Sequence, residues 1–349
     1  MIVFYFLIVA LAFYQSSFSR VPDSTMLARE RTDSVKGIFI LFVFLRHIFP
    51  YIEKYKTHLN VPDKLFCVVD SYLAQLIVVM FLFFSGYGVM EGFLRKGSGY
   101  VSSFPRKRIL ATILNFMVAV GVFLAINCIL GRFFSFEHCL FSLLGWKSVG
   151  NSNWYIFCIV ICYIIFYLAF SISGANKKHI KEGVILAFIG LLAYDMVMSY
   201  YKGSHWFNTV ACFLAGIIFS WKKEQIVRFF ERNYILSFVA SVFLFVSLSA
   251  LFLVVGKQDQ YAFVYNLVAV SFSIVVVLVM MKWKIENNYL LWLGKNLFPL
   301  YIYQRVPMLV FDVLLGSSFV GEFSYVFVVI SFLVTILLAY SYRYVAIKL

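Results

Sequence analysis

The stretch VAVSFSIVVVLVMM, residues 268–281, contains no charged side chain. Its apolar residues do not alternate with polar ones at every second position, which favours a transmembrane helix over a strand of an outer-membrane barrel. Similar runs recur along the 349-residue chain, in which 63% of residues are hydrophobic and 13% are charged. A soluble domain usually has about a quarter charged residues. The sequence therefore excludes a water-soluble globule and predicts an all-α fold, a polytopic bundle of transmembrane helices.

Eleven apolar segments are long enough, or nearly long enough, to cross a bilayer. They begin near Met1, Lys36, Ser71, Lys107, Asn153, Lys181, His205, Asn233, Tyr261, Tyr289 and Phe323. The first segment lacks the basic start and the small-residue cleavage site of a signal peptide, so we expect it to be retained. The expected organisation is an extra N-terminal span with its connection over residues 1–31, followed by one ten-span transmembrane domain over residues 32–349.

Basic residues are unequally divided between the two sets of connecting loops. The loops after the odd-numbered spans, together with the C-terminal tail, hold 20 Lys and Arg residues, whereas the other loops hold 7. Cytoplasmic loops are the ones rich in Lys and Arg. We therefore expect a multi-pass protein of the inner (plasma) membrane with its N-terminus outside and its C-terminus in the cytoplasm. The membrane surface also explains the net charge of +14, so no nucleic-acid partner is expected.

The second span, KGIFILFVFLRHIFPY (36–51), carries ionisable groups in an apolar run. Lys36 and His47 are eleven residues apart, which places them on nearly the same helix face about 16 Å apart along the axis. A neutral imidazole can act as a general base near neutral pH. The alternative is a packing histidine that bonds to a carbonyl, with Lys36 as an interfacial anchor, and the spacing alone does not decide between the two.

The tenth span, LGKNLFPLYIYQRVPM (293–308), contains a second set of polar groups. Counted along the helix, Gln304 and Arg305 reach the depth of Arg46 and His47, with a kink expected at Pro299. Buried polar groups at one depth indicate a functional site. Polar groups that only form hydrogen bonds with one another in the core of a bundle would give the same pattern. The excess positive charge predicts an anionic ligand group there, or a partner acid such as Asp195.

Two further segments carry features of packing or of the interface. In FLFFSGYGVMEGFLRKG (81–97), Gly86 and Gly88 predict close helix approach, and Glu91 is expected to pair with Arg95. In NSNWYIF (151–157), Trp154 is expected at the outer interface. No group of Cys, His, Asp and Glu has the spacing of metal ligands, so no metal is expected.

Five segments together resemble the membrane acyltransferase-3 family, bacterial O-acyltransferases that modify surface glycans. The similarity extends from about Thr32 to Tyr344. It rests on RTDSVKGIFILFVFLRHI (31–48), FLFFSGYGV (81–89), NSNWYIF (151–157), HWFNTVACFLAGIIFSWKKE (205–224) and LLWLGKNLFPLYIYQRVP (290–307), which occur in the order typical of the family.

The resemblance implies an integral membrane O-acyltransferase that takes an acyl group, often acetyl, from cytoplasmic acyl-CoA to a hydroxyl of a glycan or lipid-linked saccharide. No bound cofactor is implied, and acyl-CoA is the co-substrate. His47 is the implied catalytic base or acyl relay. Lys36, Arg46, Gln304, Arg305 and Trp154 are expected to bind the donor or to support the site.

Two positions depart from the family's pattern. Lys36 stands where the family usually has Arg. A lysine keeps the positive charge but cannot form the two parallel hydrogen bonds that a guanidinium group makes with an anion. Gln304 stands where many members have His. The alternative function from another class is a transporter or flippase for a glycan lipid, which would bind a pyrophosphate through the same cationic cluster.

The loop charges generate a topology prediction. In a variant without the native cysteines, a single Cys placed beside Arg106 should be protected from a membrane-impermeant maleimide in intact cells. A single Cys placed beside Lys56 should be labelled. Permeabilised cells give the control, since both positions should then react, and labelling beside Arg106 from outside would contradict the topology.

Overall fold

The structure is a computed structural model that describes residues 1–56, 58–73, 75–255 and 262–347. The predicted all-α transmembrane fold is confirmed. The helices of the first half are α1 Ile2–Phe13, α2 Arg29–Glu53, α3 Val61–Leu73, α4 Leu76–Lys96, α5 Ser98–Phe104, α6 Ala111–Ile129, α7 Phe136–Leu143 and α8 Trp154–Ile172. A π-helical turn, Pro105–Leu110, joins α5 to α6.

The second half continues in the same manner. Its helices are α9 Ile180–Tyr201, α10 Ala211–Trp221, α11 Lys223–Arg232, α12 Tyr234–Val254, α13 Ala262–Lys282, α14 Asn288–Lys295, α15 Leu297–Tyr303, α16 Arg305–Leu314, α17 Gly316–Glu322 and α18 Ser324–Val345. Two 3₁₀ turns, Lys177–His179 and Ser204–Trp206, precede α9 and α10. Strands β1 Ser16–Phe18 and β2 Trp283–Ile285 form one short antiparallel pair.

Among the described residues, nine helical segments are long and apolar enough to cross a bilayer: α2, α3 with α4, α5 with α6, α8, α9, α12, α13, α15 with α16, and α18. The first and seventh of the eleven expected spans correspond to shorter helices, α1 with 12 residues and α10 with 11. At 1.5 Å per residue they are about 18 Å and 17 Å long, against an apolar core of about 30 Å. The seventh is shortened because its expected start, His205, lies in a 3₁₀ turn rather than in the helix.

Glycines let two pairs of helices approach to backbone contact. A Cβ on Gly86 of α4 would overlap the carbonyl oxygen of Phe213 in α10, and a Cβ on Gly216 of α10 would overlap that of Phe83. The close approach predicted for Gly86 is therefore present, whereas a Cβ on Gly88 would meet no described atom within 4 Å. The absence of side chains brings helices within van der Waals contact, which is the main attraction between helices in lipid.

The same device joins α2 to α14. A Cβ on Gly37 would overlap the carbonyl of Leu290, and a Cβ on Gly294 would overlap that of Asp33. The side chain of Asn287 caps α14 by accepting from the backbone N–H groups of Tyr289 and Leu290, at 2.9 and 3.2 Å. These contacts fix the start of the tenth expected span against the helix that carries His47.

The tenth expected span is interrupted at Asn296, whose backbone angles (φ −104°, ψ 27°) are not helical. Gln304, between α15 and α16, keeps helical angles (φ −56°, ψ −31°), so these two segments together form one span. Pro299 is the third residue of α15, which begins after this interruption. Its missing N–H group costs nothing there, because N–H groups in the first turn of a helix have no intrahelical acceptor.

The contrast between Gly86 and Gly88 gives a stability prediction. Gly86→Ala should destabilise the protein by about 1–3 kcal/mol, because its methyl group would overlap backbone atoms that cannot move aside. Gly88→Ala, on the same helix, is the matched control and should unfold like the wild type. Thermal unfolding of the two variants in one detergent measures the difference. Equal midpoints would show that α4 and α10 tolerate separation.

Candidate active site

His47 lies in α2, two turns before its end, and is held from two directions. The hydroxyl of Ser152, in the segment that leads into α8, lies 3.4 Å from Nδ1 of the imidazole. The ring of Tyr301, from α15, packs edge-on with its centroid 6.0 Å from that of the imidazole. Contacts to two separate parts of the chain fix the orientation of the ring, which a general base requires.

Three polar side chains lie close enough to interact with the His47 imidazole. They are the guanidinium groups of Arg305 and Arg46 and the amide of Gln304. Gln304 is buried, and its Nε2 donates to the carbonyl of Tyr301 at 2.9 Å. Gln304 Oε1 and Arg305 Nε make no hydrogen bond of normal geometry with any described residue. The structure thus brings together the four residues predicted to share one depth.

The acid that neutralises part of this charge is Asp70, and the expectation of Asp195 is wrong. Nη1 of Arg46 lies 2.5 Å from a carboxylate oxygen of Asp70 in α3 and also donates to the Asp70 carbonyl, at 3.1 Å. Asp195 instead accepts a hydrogen bond from the Asn266 amide, at 3.4 Å. Arg46 therefore supports the cluster from the side of α3, while the described residues give Arg305 no carboxylate partner.

A cavity of about 1160 Å³ opens at one end of the bundle. Basic side chains predominate among the ionisable residues of its lining, which are Arg29, Lys36, Arg95, Arg108, Lys223, Lys295 and Arg343 with the acids Asp33 and Glu91. We call this end of the bundle the basic end. Glu91 accepts from the Ser220 hydroxyl at 3.1 Å, and the described ion pairs do not include the one expected with Arg95.

The deep part of the cavity is aromatic and reaches the surroundings of His47. Tyr155 and Tyr301 both line it, with ring centroids 5.2 Å apart. Tyr301 is also the residue that packs against the His47 ring. Tyr301 therefore belongs both to the lining of the cavity and to the surroundings of the imidazole.

Lys36 lies on the wall of this cavity, on the same helix as His47. Its ammonium group is 3.0 Å from the Asp33 carboxylate and 5.7 Å from the ring centroid of Phe84. Asp33 is buried, so this pair also anchors the charge of Lys36 at the cavity wall.

Trp154 is the first residue of α8 and lies apart from the imidazole. Its ring packs edge-on against Tyr155 and His205, with centroids 6.0 and 5.9 Å away. The contact with His47 comes instead from Ser152, two residues earlier, and sequence reasoning did not single it out. Its position within NSNWYIF was the available signal, as was that of Tyr301 one turn before Arg305.

A family model described as an acyltransferase domain, that of the acyltransferase-3 family, matches residues 30–344. The match covers nearly the whole chain and includes α2, with His47, and α14 to α16, with Gln304 and Arg305. The chain belongs to the acyltransferase-3 family and is a membrane acyltransferase. Neither a curated protein nor a solved structure shows a significant match to it.

Proposed function

We propose that this protein transfers an acyl group from acyl-CoA, bound at the basic end, to a hydroxyl of a cell-surface or lipid-linked glycan, with His47 as the base. The observation that carries the proposal is the cavity, which has a cationic opening and ends at Tyr301, against the His47 ring. Acetyl-CoA is the first donor to test.

The cavity suits a donor with a phosphorylated head and an apolar reactive end. Phosphate groups form charge-assisted hydrogen bonds with Lys and Arg side chains, of which this opening has seven against two carboxylates. The deep part is formed by apolar and aromatic side chains such as Phe81, Ile156, Ile159 and Tyr155. If the acyl end of the donor enters the cavity first and the phosphorylated head stays at the opening, the thioester carbonyl lies nearest to His47.

The proposed reaction needs a base that takes the proton of the acceptor hydroxyl and later gives it to the leaving thiolate. With its proton on Nδ1, directed at Ser152, the imidazole presents Nε2 to the acceptor hydroxyl. Nε2 takes the hydroxyl proton as the oxygen attacks the thioester carbonyl. The C–S bond then breaks, the ester forms, and the imidazolium returns the proton to the leaving thiolate. Arg305, whose Nε has no normal hydrogen bond among the described residues, is suited to stabilise the negative charge on the carbonyl oxygen, and Gln304 Oε1 can accept a hydrogen bond from the imidazolium.

The acceptor would approach from the opposite end of the bundle. Tyr51 and Lys54 continue the face of α2 beyond His47, and Lys54 pairs with the buried Asp312 of α16 at 2.6 Å. In the predicted topology this is the outer end, and the basic end faces the cytoplasm. The arrangement suits a bacterial inner-membrane enzyme that acylates a saccharide at the outer surface.

Replacing His47 tests the proposed base. His47→Gln should lower the rate of acyl transfer by about 10²–10⁴-fold, because the amide keeps a polar group of similar size but cannot accept and return a proton. His179→Gln is the matched control, since this histidine is exposed and its ion pair among the described residues is a local one with Glu182, three residues later. Mass analysis of the glycan, at equal amounts of protein in the membrane, measures the transfer.

A His47→Gln variant that acylates at the wild-type rate would make His47 a packing residue. The same experiment separates an acyltransferase from a transporter. Loss of one acyl group per repeat, with the polymer still present, supports acyl transfer, whereas loss of the whole polymer supports transport.

Replacing Lys36 tests the donor end. Lys36→Ala should raise the KM for acyl-CoA about tenfold, the equivalent of 1.4 kcal/mol, because a contact with phosphate is lost. Lys36→Arg should keep most of the activity because it keeps the charge. Lys64→Ala, far along the chain in α3, should leave the KM unchanged. An unaltered donor KM in Lys36→Ala would remove Lys36 from the donor site.

A further inference from the structure

A second cavity, of about 510 Å³, lies on the side of the bundle between α8 and α9. We call it the lateral groove. Its walls include Phe157 and Ile165 of α8, Ala193, Val197 and Tyr201 of α9, and Trp146 of the preceding loop. From Gly190 to Tyr201 the groove follows α9 for about 16 Å. Val197 and Tyr201 are exposed and both helices are long enough to cross a bilayer, so the groove opens at a surface of the bundle that would face lipid.

A cation stands at one end of the lateral groove. Lys202 follows directly after α9, and its ammonium group lies 4.0 Å from the ring centroid of Trp146 and 4.5 Å from that of Trp206. It donates to the Trp146 carbonyl at 2.8 Å, and the described residues offer it no carboxylate. Partial burial, together with the charge of nearby Lys147, lowers the pKa of Lys202. An anion bound here would relieve that repulsion.

The loop that forms this end of the groove also reaches the candidate active site. Trp146 lines the groove, and Ser152, six residues later, contacts His47. Six residues of extended chain span at most about 20 Å. A headgroup of a few sugar units attached at Lys202 therefore has His47 within reach.

We propose that the lateral groove binds the hydrocarbon chain of a single-chain lipid phosphate, with the phosphate at Lys202, and that this lipid carries the saccharide acceptor to His47. The second half of the proposal rests on the proposed function. A single chain fits because the groove is one furrow between two adjacent helices. Lys202 supplies the charge that complements a phosphate.

Lys202 selects the charge of the headgroup, whereas the single furrow selects a lipid with one chain. An apolar groove gains little by exchanging one hydrocarbon chain for another, because bilayer lipids offer the same apolar surroundings. The partly desolvated ammonium group between two indole rings distinguishes an anionic headgroup from a neutral one. The groove then holds the chain in a fixed direction, so that the headgroup projects over residues 146–152.

Lipid retention by the full chain in detergent tests the groove, with native mass spectrometry as the readout. The probes are a polyprenyl phosphate and phosphatidylglycerol, a two-chain anionic lipid. Lys202→Gln removes the charge, and Ala193→Trp fills the groove. Lys222→Gln is the matched control, because Lys222 lies 4.1 Å over the ring of Trp221 at another site. Ile189→Trp adds the same bulk to an exposed position of α9 outside the groove.

The expected result is that the wild type and both controls retain polyprenyl phosphate in preference to phosphatidylglycerol. Lys202→Gln and Ala193→Trp should each reduce this retention about tenfold. Equal retention of the two lipids, or groove variants that match the wild type, would overturn the proposal in favour of ordinary surrounding lipid. Gel filtration shows whether Ala193→Trp still folds. If it does not, Lys202→Gln alone tests the groove.

Acyl transfer to two acceptors, one lipid-linked and one the same saccharide without lipid, separates the two proposals. Lys202→Gln should slow transfer to the lipid-linked acceptor at least tenfold and leave transfer to the free saccharide unchanged. Equal transfer to both acceptors in every variant would overturn the groove as an acceptor site and support the proposed function. Groove-dependent lipid binding without any acyl transfer would support the groove and contradict the proposed function.

Discussion

The position of Arg46, His47 and Arg305 inside a bundle of apolar helices is the constraint on which the rest of the structure depends. An arginine at the centre of a membrane helix costs about 2.5–3.5 kcal/mol on the insertion scale. Arg46 offsets this cost by its ion pair with Asp70 of α3. Arg305 has no carboxylate partner among the described residues, and its Nε is without a normal hydrogen bond. The described residues therefore leave the charge of Arg305 without an ion pair, which is a property expected of a binding site rather than of a packed core.

Backbone contacts keep this cluster in position. The pair Gly37 and Gly294 lets α14 lie directly on α2, so the start of the broken segment α14–α16 is fixed relative to His47. After the interruption at Asn296, α15 brings Tyr301 against the imidazole ring, and Gln304 and Arg305 follow beside it. In lipid, an interruption is tolerated only where protein surrounds the freed polar groups. At Asn296 the side-chain amide donates to the Trp292 carbonyl at 2.9 Å, which satisfies one of these groups.

The parts of this arrangement that sequence could predict are those set by local periodicity. The apolar runs predicted the helical class, and the rise per residue predicted that Arg46, His47, Gln304 and Arg305 share one depth. The partners of these groups depend on which helices become neighbours, and a single sequence does not contain that information. Asp70 and Ser152 were missed for this reason. The interruption at Asn296 was missed because the proline signal, Pro299, lies three residues later, in the first turn of α15.

The two ends of the bundle place opposite demands on the residues between them. A phosphorylated donor head is stabilised among the basic side chains of the cavity opening and would lose that stabilisation in the apolar interior. In the proposed function, only the acyl thioester enters the part of the cavity that is lined by Tyr155 and Tyr301. A short acyl group crosses this distance at little cost, whereas a charged one would need a partner that the described lining does not provide there. Under the proposed function, this geometry favours a small, uncharged acyl group and an acceptor hydroxyl that approaches His47 from the other side.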